Sequence, residues 1–124
     1  MKYSKIILLG VSFFSFISCM NKYEKEAIGK YELYKYDLEN PLQEVDVFSQ
    51  LILNNDKTFE LKYGEKIIRG DWSANDNGDW TFIQFEYQNK KIEARVGQDE
   101  ILFNSANGFG LENFKSLEYT KIEN

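Results

Sequence analysis

Between residues 49 and 87, four hydrophobic runs follow one another with polar turn clusters between them. This punctuation leaves little choice of fold. The runs are 49–53, 58–63, 66–72 and 80–87, and the clusters are Asn54-Asn55-Asp56, Gly64-Glu65 and Asn75-Asp76-Asn77-Gly78. Short stretches rich in Ile, Thr, Tyr, Phe and Trp, broken at this interval, predict an antiparallel meander. Alternation assigns the faces. Phe59, Leu61 and Tyr63 fall on one side of their run, and Ile68, Gly70 and Trp72 on one side of the next. The fourth run is less clean, because Trp80 and Phe82 oppose Ile83, Phe85 and Tyr87. Either it is covered on both faces or a bulge changes its phase, and the preferred inward set is Thr81, Ile83, Phe85 and Tyr87. Gly70 inside a strand pattern is expected to mark a bulge or a bend.

The flanks complete the count. Residues 31–36 alternate as a first strand, and the only proline, Pro41, excludes a central strand within 37–46. Downstream, Ile92, Ala94 and Val96 share a face, residues 100–103 form a short run, and residues 117–122 close the chain. A long connection, 104–116, carries Phe109, Leu111 and Phe114. The expected fold is all-β, an antiparallel up-and-down barrel of about eight strands. Closing such a sheet removes its exposed edges. An open, strongly bent sheet or a sandwich of the same strands is the alternative.

The first eighteen residues stand outside that fold and read as a secretion signal. Lys2 and Lys5 give a basic start, residues 6–17 are apolar, and Ser18 supplies a small residue before Cys19. The apolar run is too short to span a bilayer comfortably as a helix. A lone cysteine in an exported chain has no internal partner, so its position needs a reason. Removing residues 1–18 takes away two lysines and no acid. That leaves 13 Lys+Arg against 20 Asp+Glu, a formal charge of −7 in place of −5. The balance opposes a nucleic acid or an anionic lipid surface as partner, because both call for a cationic footprint. The sequence divides into a signal (1–18), an N-terminus and tether with a loose helical turn (19–28), and the barrel domain (29–124).

Phe16-Ile17-Ser18-Cys19 resembles the lipobox of bacterial lipoproteins. The resemblance implies acylation of Cys19, for instance by palmitate, and an anchor in the cell envelope. Met20, which is not Asp, points to the outer membrane, on its periplasmic or surface face. Gly29-Lys30-Tyr31, residues 51–59 and Gly70-Asp71-Trp72 resemble the small lipocalin-like lipoproteins of Bacteroidetes, with Tyr31 where a tryptophan is usual. That resemblance implies a lipocalin-like barrel and a small hydrophobic ligand, taken at a mouth between loops 37–46 and 104–116. Phe59, Leu61, Trp72, Ile83, Phe85 and Tyr87 are the candidate ligand-binding residues.

Catalysis is not expected. The chain contains no histidine, so neither the commonest general base nor a histidine-based triad is available. Glu60, Glu86 and Glu93 fall on outward faces, and no cofactor is implied. Residues 73–84, aligned on an EF-hand loop, place Ser73 and Gln84 where the end acids belong. No metal site is therefore expected, and Asn77-Gly78 reads as a hairpin turn. Two functions remain in view. One is a binding lipoprotein with a hollow barrel. The other is a protein-interaction or inhibitor module of the envelope with a packed barrel, its exposed aromatics drawn from Tyr34, Tyr36 and Phe109. A purely structural tethered domain is a third.

Overall fold

The computed structural model describes residues 20–43, 47–104, 109 and 113–124. They form a short helix, α1 (Lys22–Ala27), and eight strands: β1 (Gly29–Leu38), β2 (Gln50–Leu53), β3 (Thr58–Tyr63), β4 (Lys66–Asp76), β5 (Thr81–Tyr87), β6 (Lys90–Gly97), β7 (Glu100–Phe103) and β8 (Phe114–Glu123). Each strand pairs antiparallel with the next, and β8 pairs back onto β1. The barrel is closed, as the turn spacing predicts, and the open-sheet alternative is set aside.

Local chemistry explains the hairpins. Lys57, Gln88, Asn89 and Asp99 take positive φ in the tight turns, as does Gly64. Such turns match the right-handed twist of the flanking strands. In the first turn the Asp56 carboxylate accepts from both the Thr58 amide and the Thr58 hydroxyl. These bonds hold the Asp56 carboxyl below its ordinary range. β4 runs four residues further than its hydrophobic pattern suggests, to Asp76. Asp76 and Asn77 then turn their side-chain oxygens onto the amides of Gly78, Asp79 and Trp80. The oxygen-rich cluster is thus engaged in building its own turn.

The inward faces match the alternation. Phe59, Leu61, Ile68, Trp72, Ala74, Ile83, Phe85, Ile92, Ala94, Ile101, Phe103, Leu117 and Tyr119 are all buried in one core. Gly70 departs from expectation. Its ladder runs on without a register shift, Phe59 opposite Gly70 and Leu61 opposite Ile68. A Cβ there would collide with the Glu86 carbonyl and meet the Phe59 ring at 2.8 Å. The glycine permits close approach instead of marking a bulge. Gly70→Ala is expected to cost about 1–2 kcal/mol through this overpacking, read as a lower urea midpoint at unchanged m-value.

The irregularities lie in β1, whose pairing with β8 shifts register at Lys30/Tyr31, at Leu33/Lys35 and at Asp37/Leu38. β1 has ten residues and β2 only four. Their ladder therefore ends at Glu32 opposite Gln50, extended by one bond from the Leu33 amide to the Ser49 carbonyl. Beyond it β1 continues against β8 alone.

The segment expected to be a tether is partly folded. α1 carries a capping box: the Asn21 side chain accepts from the Glu24 amide, and the Glu24 carboxylate accepts from the Asn21 amide. Met20 and Ala27 are buried in the core. From Met20 onward the chain is docked on the barrel and does not form a free spacer.

Candidate functional site

The chain's alternating direction sorts the connections into two ends. α1 and the turns after β2, β4 and β6 lie at one end. The long connections after β1 and β7 lie at the other, the mouth, with the turns after β3 and β5. The mouth is where the ligand entrance is expected.

The six candidate ligand residues do come together, but on one another. Phe59, Leu61, Trp72, Ile83 and Phe85 are buried in the common core, and Tyr87 packs partly buried against it. The rings meet in edge-on or tilted pairs: Phe59 and Phe85 at 4.9 Å, Phe85 and Phe103 at 5.3 Å, Phe103 and Tyr119 at 5.9 Å. Those separations are the favoured contact geometry of aromatic pairs. Trp72 donates its indole N–H to the Asn54 carbonyl. Among the described residues these side chains pack against one another in the barrel interior.

Phe109 closes the mouth. Part exposure was expected for it; instead it is buried, with its ring 5.8 Å from those of Phe59, Phe85 and Phe103 and 6.1 Å from that of Tyr87. Phe48, from the connection ahead of β2, is buried too, and its carbonyl accepts from the Tyr119 hydroxyl at 2.7 Å. Phe114 is buried as well. Leu111 and Cys19 lie outside the described residues, as do 44–46 of the first loop.

Two buried phenols sit along the core. Tyr119 reaches the Phe48 carbonyl, and Tyr31 reaches the Ala27 carbonyl at 2.7 Å. Burial pushes both hydroxyls well above the ordinary tyrosine range, helped for Tyr31 by the Asp99 charge. Folding thus favours the neutral phenols. Their contribution is complete below the unfolded pKa of about 10 and is lost as pH rises beyond it. Stability is expected to fall above pH ~10 by up to about 1.4 kcal/mol per pH unit for each phenol. Urea midpoints across that range test this, and Tyr119→Phe should flatten the slope.

At the opposite end α1 is held by a charge inside the protein. Glu24 is 2% exposed. Its carboxylate meets the Lys57 ammonium at 3.1 Å and accepts from the Ala74 amide at 3.3 Å. The Asn21 side-chain nitrogen, Nδ2, donates to the Ala74 carbonyl at 2.8 Å. Every buried side-chain polar atom among the described residues has a partner. Neither Glu24 nor Lys57 was singled out from sequence, although Asn21-x-x-Glu24 has capping-box spacing.

Three clefts among the described residues lie elsewhere. One of about 460 Å³ runs along β3 and β4 beside the Glu60–Arg69 ion pair at 3.3 Å. One of about 600 Å³ at the α1 end is bordered by Tyr31, Thr81, Asp99 and Lys121, whose ammonium is engaged with the Glu26 carbonyl at 2.7 Å. A third, about 370 Å³, opens on the outer wall where β1 and β2 part, and is lined by Glu32, Leu33, Ser49, Gln50, Lys62 and Gly64. Beside it stand the most exposed aromatics, Tyr34 at 69% and Tyr36 at 47%, with Leu42 also exposed on the nearby loop. Tyr36 rests edge-on against Phe114 at 5.6 Å.

Comparisons with known protein families, with curated proteins and with solved structures found no match.

Proposed function

We propose that this chain is a protein-interaction module of the cell envelope, anchored by lipid at Cys19, whose barrel is a packed scaffold instead of a ligand container. The observation that carries the reading is the interior itself. Phe59, Phe85, Phe103 and Phe109 pack ring against ring from the middle of the barrel to its mouth. Small-molecule sites are concave and largely pre-formed, and here the candidate ligand residues are one another's neighbours. Exposed aromatics beside a groove are a common feature of binding surfaces. The acidic balance of the chain adds long-range steering toward a basic partner.

Native mass spectrometry tests the choice between the two functions. The expected result is a clean protein mass, with no stabilisation by a panel of fatty acids and small hydrophobes. A reproducible adduct removed by solvent extraction would restore the ligand-binding reading. The anchor is tested separately by growth in labelled palmitate. Label is expected on the protein and lost in Cys19→Ala; label that persists in the variant refutes the anchor.

A further inference from the structure

The seam between β1 and β2 is one of the gaps in the hydrogen-bonded wall; β6 leaves another where it outruns the four-residue β7. β1 pairs with β2 only as far as Glu32, plus the Leu33 bond to Ser49. The Phe48 carbonyl has turned inward to the Tyr119 hydroxyl. Beyond this point β1 keeps its pairing with β8 on one side, from Lys35 opposite Glu118 to Leu38 opposite Phe114, with register shifts at Leu33/Lys35 and at Asp37/Leu38. On the other side its backbone has no partner among the described residues. An unpaired strand edge is a template for another strand, and proteins commonly blunt such edges with charge, a proline or a covering element. Residues 34–38 are Tyr-Lys-Tyr-Asp-Leu, four of them exposed, and the groove of about 370 Å³ lies alongside.

We propose that residues 34–38 of β1 are a docking edge for an extended, basic segment of a partner protein, which joins the barrel wall by backbone pairing. This rests on the interaction-module reading and names its mode. Strand addition draws affinity from main-chain bonds and specificity from alternate side chains. The side chains beside this edge indicate the occupant. Tyr34 and Tyr36 offer exposed aromatic area to apolar residues. Glu32, Asp37 and Glu39 are exposed acids, and the ammonium of Lys35 is already 3.6 Å from Glu118, which leaves Lys62 as the counterweight in the groove. A second copy of this chain, with its net charge of −5, would bring like charge against like. A strand carrying Lys or Arg at alternate positions meets the acids instead.

The test uses full-length protein in detergent and a fluorescein-labelled octapeptide of alternating Lys and Val. Its controls are the Glu/Val analogue and a Lys/Val peptide N-methylated along one edge. The expected result is saturable binding by the Lys/Val peptide, at least about tenfold weaker for the Glu/Val analogue, and lost on N-methylation. Amide exchange should slow at residues 34–38 and not elsewhere on the barrel. The exposed double substitution Glu32→Lys with Asp37→Lys should reverse the charge preference. Equal binding by the N-methylated peptide, protection at another edge, self-association in place of peptide binding, or no binding overturns the proposal. A photo-crosslinking residue at position 34, and separately at the exposed position 55, distinguishes the two levels of the argument in cells. Crosslinks to a polypeptide from position 55 alone sink the docking edge but leave the interaction module standing. No crosslink from either position, with an extractable adduct on the purified protein, sinks both.

Discussion

Replacing Phe85 by Ala is expected to lower the unfolding free energy by about 3–5 kcal/mol, the range for removing a buried aromatic ring from a core that cannot collapse around the void. Phe85 is fully buried and touches rings on three sides, Phe59, Phe103 and Phe109. Its own strand is fixed by ladders to β4 and β6, Trp72 opposite Phe85 and Phe85 opposite Ile92. The backbone therefore has little freedom to close the gap. The same change at Phe109 is expected to cost less, about 3 kcal/mol, because a mouth connection settles more easily than a strand. Urea denaturation of both variants measures the order. The comparison bears on function. A barrel built to be hollow tolerates a smaller side chain in its wall, so a loss below ~1 kcal/mol at Phe85 would contradict the packed-scaffold reading.

The strands were legible because each obeys a two-residue period and each turn carries its own chemistry. Phe59 and Leu61 are assigned to the inside by alternation alone, and the structure buries them. For Ile83 and Phe85, whose run also carries Trp80 and Phe82 on the other face, the structure decides between faces and buries them too. The count of strands allowed closure but left an open bent sheet or a sandwich as the alternative, and the pairing of β8 with β1 decides it. What alternation cannot carry is the occupancy of the interior. Whether Phe59, Phe85 and Phe103 line a space or fill it depends on side chains from distant connections, and Phe109 sits in a segment with no period at all. At Gly70 the bulge half of the expectation failed for a related reason. A glycine in a strand signals either a bulge or close approach, and only the position of the Glu86 carbonyl decides. The seam was invisible because it arises from unequal partners, a ten-residue β1 against a four-residue β2. In sequence, the residues that end up unpaired look like the end of an ordinary strand followed by a loop.

α1 is the other element that sequence undervalued. Helices this short are marginal alone, so Lys22–Ala27 persists because something outside it holds it, and Glu24 is the natural agent. That one carboxylate accepts from the Asn21 amide at 3.0 Å, accepts from the buried Ala74 amide, and pairs with Lys57. Glu24→Ala is expected to cost about 3 kcal/mol. The capping bond contributes about 1 kcal/mol, and the Ala74 amide left without a partner about 1–3 kcal/mol. The Lys57 side chain, 35% exposed, can turn to water, which limits the loss from the ion pair. Glu24→Gln keeps an acceptor oxygen and should fall between wild type and Ala. A double-mutant cycle with Lys57→Ala isolates the ionic share, since the two side chains touch and their effects should not add. Amide exchange separates this from a general loss of stability. α1 is expected to open while Phe85 and its ladder neighbours stay protected, because the helix packs on the barrel end and the barrel's own closure runs through β1 and β8. Uniform loss of protection would instead make α1 part of the folding unit itself. With the proposed anchor at Cys19, the helix also sets the stand-off of the barrel. Docked, it leaves no spacer after Met20; undocked, residues 20–27 would span up to about 28 Å at full extension. Glu24→Ala is thus expected to lengthen the reach of the docking edge from the membrane, measurable as a fall in energy transfer between a dye placed at position 34 and a lipid-borne acceptor.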